Sequence, residues 1–212
     1  MAARGKGIVD RGSIARLRGV ALCVAFAALA AGCASQEQIR DAILEVNRAW
    51  QKDYEGILAD KGIRDYKVAR MDAFVALHAG LSRLGMRIVD QDPDLGTLNV
   101  EAPAPRPLDA AEWRRAADAD LPRMREIARR HVGVLAELIS FEPEGLIIVI
   151  NATVAEIPGG TEVSLTTRMR EVAPPKSGMP RREYPPPAAV RLALDKIWGQ
   201  LEGELRAARR IP

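Results

Sequence analysis

The chain has 212 residues, 31 basic and 28 acidic, for a formal net charge of +3. Residues 1–32 hold five of the basic side chains (Arg4, Lys6, Arg11, Arg16, Arg18) and one acid (Asp10), so the other 26 basic and 27 acidic residues carry a net charge of −1. A near-neutral body excludes the broad electrostatic attraction that nucleic-acid binding needs, and cysteines only at positions 23 and 33 exclude a disulfide within the rest of the chain.

Behind the basic amino terminus, Val20 to Ala31 form an apolar run of 12 residues. A secretory leader carries about 7–15 apolar residues and a membrane-spanning helix about 20, so this run is too short to span and fits a leader. The residues that follow are Ala30-Ala31-Gly32-Cys33-Ala34-Ser35. They resemble the lipobox of bacterial lipoproteins, in which small residues precede an obligatory cysteine; Ala30 stands where that motif more often has leucine. The resemblance implies diacylglyceryl transfer to the Cys33 thiol, cleavage after Gly32 and acylation of the new amino terminus. Residues 1–32 are then a signal peptide, and the covalent lipid on Cys33 is the attached group, with no cofactor expected. In such lipoproteins an aspartate after the cysteine retains the protein in the inner membrane. Ala34 at that position implies the periplasmic face of the outer membrane.

Ser35 to Ala59 predict an amphipathic helix. Ser35 and Gln38 have capping-box spacing, and Ile39, Ile43, Val46, Trp50 and Ile57 recur at three- and four-residue steps. Asp53 interrupts this seam, and Gly62 supplies a stop. The lipidated terminus and this helix make one segment, 33–62, and residues 63–212 make the main domain. Tyr66 and Val68 suit a short strand. Met71 to Leu84 read as a helix with Phe74, Leu77, His78, Leu81 and Leu84 on one face. Met86 to Asp90 and Thr97 to Ala102 read as strands around Asp92-Pro93-Asp94-Leu95-Gly96, whose residue types favour a tight turn. After the break at 103–107, Asp109 and Glu112 predict a second capping box. It opens a helical insertion at about 108–131 that Pro122 splits in two. Leu138 to Phe141 predict a short strand, Leu146 to Ile157 an internal one. A Pro158-Gly159-Gly160-Thr161 turn leads to an alternating strand with Val163, Leu165, Thr167 and Met169 on one face. A proline-rich loop then reaches a closing helix, Ala188 to Arg209, striped by Val190, Leu194, Ile197, Leu201 and Leu205.

This order predicts an α+β domain, an antiparallel sheet packed by helices on one face. From Arg64 onward it resembles the helix-grip domains, including those of BamC-like outer-membrane lipoproteins. The likeness rests on element order and on the stretch from Val68 to Glu101, a helix ending at Leu-Gly followed by a strand and an aspartate-rich turn. The helical insertion departs from that pattern.

Asp90, Asp92, Asp94 and Glu101 have the 1, 3, 5, 12 spacing of a calcium loop. Leu95 occupies the place of the required glycine and strands flank the segment, so ordinary turn chemistry explains the same letters. His78 reads as a packed residue, and His131 as a cation at a helix end. Neither has neighbours suited to zinc. Arg114, Arg115, Arg123, Arg125, Arg129 and Arg130 form a basic helix face interspersed with acids. Arg181, Arg182 and Tyr184 in the proline-rich loop make a candidate interaction patch. No local nucleophile or phosphate-loop signature is present in the sequence. The expected function is a non-catalytic accessory or scaffold lipoprotein of the cell envelope, with a membrane and an envelope protein as partners and no nucleic acid. The alternative is a binding module for a lipid or other apolar ligand, held between sheet and closing helix in a cavity of about 300 Å³ or more.

Overall fold

The structure, a computed structural model, describes residues 34–175 and 177–211. The predicted leader, the cleavage expected after Gly32, and Cys33, where the lipid is expected, lie outside the described residues. The chain divides into Met1–Ser35 and Gln36–Pro212, and all the described helices and strands belong to the second unit.

Helix α1 (Gln36–Lys61) buries Ala42, Trp50, Tyr54 and Ile57 along one stripe. It ends at Gly62, where a Cβ would come within 2.5 Å of the Leu58 carbonyl oxygen. The Gly62 amide donates to that oxygen at 2.8 Å, and the Gly62 carbonyl accepts from Leu165, so the turn passes directly into sheet pairing. Strand β1 (Ile63–Tyr66) is followed by α2 (Arg70–Arg83), whose inner face is Ala73, Phe74, Ala76, Leu77, Gly80 and Leu81. Strands β2 (Arg87–Asp92) and β3 (Thr97–Pro103) form the predicted hairpin. Gly96 closes its turn at a φ of +69°, and an added Cβ would lie 2.1 Å from the Val154 carbonyl oxygen, so glycine is required on both counts.

The capping box at Asp109 and Glu112 forms as expected, with both reciprocal bonds made. The helix it opens does not split: α3 (Ala110–Val132) runs on through Pro122. An interior proline costs about 3 kcal/mol. Burying a large apolar side chain returns about 1.5–3 kcal/mol, and α3 buries Trp113, Ala116 and Ala117 before the proline and Met124, Ile127 and Ala128 after it. Burial on both sides therefore outweighs the local penalty.

The strand expected over Leu138 to Phe141 is also absent. Gly133–Leu138 form a 3₁₀ helix, and the residues after it are irregular up to β4. Their carbonyls find side chains instead of a neighbouring strand. Arg125 donates to the Ile139 oxygen at 3.1 Å, and the Trp113 ring nitrogen donates to the Phe141 oxygen at 3.3 Å. The long hairpin β4 (Leu146–Ile157) and β5 (Gly160–Glu171) turns at Pro158-Gly159, and α4 (Pro187–Ala207) closes the domain.

The result is an α+β fold, a five-stranded antiparallel sheet with four helices packed against it. Strand order is β1-β5-β4-β3-β2. The inner face carries Leu98 and Val100 from β3, Ile148 and Ile150 from β4, and Val163 and Leu165 from β5, all buried. The outer face is polar and more open, with Asn151, Thr153, Thr166 and Arg168 exposed. At the edges, β1 has only four residues, and β2 is interrupted by an irregularity between Ile88 and Asp90. Both features discourage pairing with another chain.

Candidate functional site

The space between the closing helix and the sheet is filled. Trp198, Leu194 and Ile197 of α4 are buried, and the Trp198 ring nitrogen donates to the Lys61 carbonyl at 2.8 Å. Arg64 lies 5.2 Å from the centre of the Trp198 ring, and the Tyr66 ring lies 6.4 Å away. Burial pushes the Tyr66 hydroxyl up to about 12. Where α4 meets Ile148 and Thr167, a crevice of about 10 Å³ remains, no more than a water needs. The apolar cavity of about 300 Å³ expected for a gripped ligand is therefore not formed there, because the buried side chains of α4 fill the space against the inner face.

The four acids with calcium-loop spacing do not converge. Asp92 accepts from the amides of Asp94 and Leu95, each at 2.9 Å, and so shapes the hairpin turn. Asp90 pairs with Asn99 in the strand register. Glu101 accepts from Arg170 at 2.9 Å and from Arg87, and these bonds hold its carboxyl below the usual glutamate range. Among the described residues, no group of three or more His, Cys, Asp or Glu side chains is placed to hold a metal ion.

The candidate patch in the proline-rich loop is used largely inside the molecule. The Arg182 side chain donates to Glu171 at 2.6 Å and covers the Phe141 ring at 5.7 Å. The Tyr184 ring lies 5.4 Å from that of Tyr54. Arg181 remains exposed, while its carbonyl accepts from Asn47 of α1 at 2.8 Å. These contacts strap the loop along α1.

The basic face of α3 is likewise mostly spent on neighbours. Arg123 pairs with Asp53, which explains the carboxylate interrupting the seam of α1. Arg130 and His131 both reach Glu45, at 2.9 and 2.5 Å. The His131 bond lowers the Glu45 pKa. Arg129 pairs with Glu137 on the 3₁₀ helix. His78 is half-buried at the rim of α2.

A real opening lies beside the first half of α3. Trp113, Ala117, Leu121 and Phe141 line its apolar base, and Arg114, Asp118, Glu142 and Glu144 its rim; its volume is about 240 Å³. Its walls are fixed by tertiary packing. Trp113 and Phe141 pack as tilted rings with centres 5.9 Å apart, and Trp50 of α1 meets Phe141 edge-on at 5.1 Å. The cleft falls below the usual range for a small-molecule pocket, about 300–1,000 Å³, but can accept one or two side chains of a protein partner. Three carboxylates and one guanidinium on the rim favour a basic side chain whose aliphatic stem rests on the aromatic floor. Reading 138–141 as a strand hides this site. The available clue was Phe141 followed by Glu-Pro-Glu-Gly, a turn-forming acidic segment after a buried aromatic.

No family model, curated protein or solved structure matches this chain.

Proposed function

We propose that the chain is a non-catalytic lipoprotein of the cell envelope, tethered by lipid on Cys33 and acting as an accessory or scaffold through protein contacts. The observation that carries this reading is the 12-residue apolar run ending at Ala30-Ala31-Gly32-Cys33. Two further features support it. The core between sheet and closing helix is filled, which favours contact over ligand storage. The cleft beside α3 offers a shaped, acidic surface on a segment that departs from the plain sheet-and-helix pattern. Ala34 favours the periplasmic face of the outer membrane over the inner membrane.

Intact-mass measurement of the protein extracted from membranes tests the tether. The expected polypeptide begins at Cys33 and carries fatty acids there, and Cys33→Ser releases it to the soluble fraction. A polypeptide that starts elsewhere, or bears no lipid at Cys33, overturns the reading. A photo-crosslinker at Glu142 in living cells tests the contact role. A reproducible envelope protein, lost when the exposed rim is blocked by Asp118→Trp, is expected, whereas a clean negative counts against scaffolding by this surface.

A further inference from the structure

The far end of the helical insertion carries an apolar tip. Val134 and Leu138, four residues apart on the 3₁₀ helix, are 81% and 80% exposed, the two highest values for large hydrophobic side chains among the described residues. They flank Ala136, which is fully buried in a small cluster with Ala42 of α1 and Ala128 of α3. The segment is thus fastened at its middle while two aliphatic side chains project.

The placement of this tip follows from how α1 and α3 run. Asp53 pairs with Arg123, Glu45 with Arg130 and His131, and Ala42 packs near Ala136. The partner numbers rise along α3 as they fall along α1, so the helices are antiparallel. The tip therefore lies beside the first turns of α1, where Ile39 is 40% exposed. Ala42 is six residues into α1, about 9 Å along the axis at 1.5 Å per residue. Cys33 precedes Gln36 by three residues, a covalent reach of about 10 Å at most. The chain that leads back to Cys33 therefore joins the domain at Gln36, at the end of α1 that lies beside the tip.

We infer that Val134 and Leu138, with Ile39 beside them, dock on the lipid surface to which Cys33 is tethered. This rests on the lipoprotein reading above. Two observations favour a bilayer over a protein. Three aliphatic side chains fall well short of the roughly 800 Å² that each partner buries in a stable protein interface. The charges around the tip are also matched internally, Arg129 with Glu137, Arg130 with Glu45, and Arg40 with Glu37 and Asp41. The surface thus offers apolar insertion with little net charge. Such a contact is too small to recruit a free protein. A tether raises the local concentration of surface to the millimolar range, and a weak contact then suffices to fix orientation. The acyl chains hold the protein, and the tip sets which way it faces.

The test uses the full mature chain, lipidated at Cys33, in vesicles of phosphatidylethanolamine and phosphatidylglycerol. An environment-sensitive dye is attached to Leu138→Cys or, as a control, to Asp60→Cys at the opposite end of α1. The lipidated thiol of Cys33 cannot react with it. A blue shift at position 138 and none at position 60 is expected. The shift should persist in high salt and disappear when Val134→Asp and Ile39→Asp are added. A dye at 138 that reports water, on protein whose mass shows fatty acid at Cys33, overturns docking and leaves the lipoprotein reading standing. A shift that appears without vesicles and grows with protein concentration identifies a second copy as the occupant and also overturns it. Absence of lipid from Cys33 overturns the lipoprotein reading and docking together.

Discussion

Replacing Pro122 by alanine should stabilise the protein. Pro122 is exposed within an unbroken helix, so its side chain contributes little packing. It removes one amide, leaving the Asp118 carbonyl without its helical donor, and proline is about 3 kcal/mol less favourable than alanine in a helix interior. Two terms reduce the gain. Alanine lends the unfolded chain more freedom, which costs about 0.4–1 kcal/mol. Packing of Trp113, Met124 and Ile127 also keeps any distortion in place, so only part of the penalty is recovered. A net gain of about 1–2 kcal/mol remains, or about 3–7 °C in Tm for a domain of this size. Urea titration followed by circular dichroism measures it. Pro122→Gly serves as a control and should fall about 1 kcal/mol below alanine. If Pro122→Ala is neutral or destabilising, residue 122 does not sit in helical backbone and α3 is two helices, as its sequence first suggests.

Three other outcomes follow from the same structure. Trp198→Ala should cost about 3–5 kcal/mol in a urea titration, because the ring is fully buried and its nitrogen satisfies the Lys61 carbonyl; a loss below about 1.5 kcal/mol would mean a loosely filled interior and would revive the ligand-cavity alternative. Glu45, Glu112 and Glu137 have folded pKa values lowered chiefly by bonds from His131, Lys196 and Arg129. Their contribution is therefore present above the unfolded value of 4.5 and is lost as pH falls through the lowered values. Asp120 has the opposite sign, because burial raises its pKa while it accepts from the Ala188 amide at 2.7 Å. Its contribution is full below the unfolded value of 3.8 and lost as pH rises through the folded one, so Asp120→Asn should steepen acid unfolding as pH falls towards 3.8, and an unchanged profile would contradict that. Calcium at about 10 mM should leave Tm unchanged, whereas even a weak site with a Kd of about 10⁻³ M would add about 1.4 kcal/mol.

Legibility from sequence followed the range of the signal. The β4–β5 hairpin is readable residue by residue, because alternation and a Pro-Gly turn are local. So is the start of α3, where Asp109 and Glu112 carry the whole motif within four residues. The coarse fold follows from the same local signals in order. What escaped depends on residues distant in the chain. Pro122 signals a break, and only the burial of α3 on both sides overrides it. Leu138 to Phe141 look like a strand, yet Arg125 and Trp113 take the carbonyls that a strand partner would need. Asp53 looks like a flaw in α1 until Arg123, 70 residues on, is seen beside it. The cleft could not be read for the same reason, since its floor joins Trp113 and Phe141, 28 residues apart. Arg182 and Tyr184 suggest a contact patch by residue type alone, which does not distinguish a side chain facing a partner from one strapping its own loop.

The two surfaces assigned to the insertion call for different partners. The tip is aliphatic with its neighbouring charges paired, while the cleft rim exposes Glu142 and Glu144 around an aromatic floor. Both lie on one rigid element and its continuation. Glu142 follows Leu138 by only four residues, a covalent reach of about 14 Å at most. A domain resting on its tip would therefore hold the acidic rim within two Debye lengths, each about 8 Å at physiological salt, of the headgroups. Val134→Asp and Ile39→Asp together would lift the tip from the bilayer. If docking sets how the cleft is presented to its partner, crosslinking from Glu142 should fall in that variant while lipidation at Cys33 is unchanged. Equal crosslinking from both proteins would mean that partner binding is indifferent to how the domain stands on the bilayer.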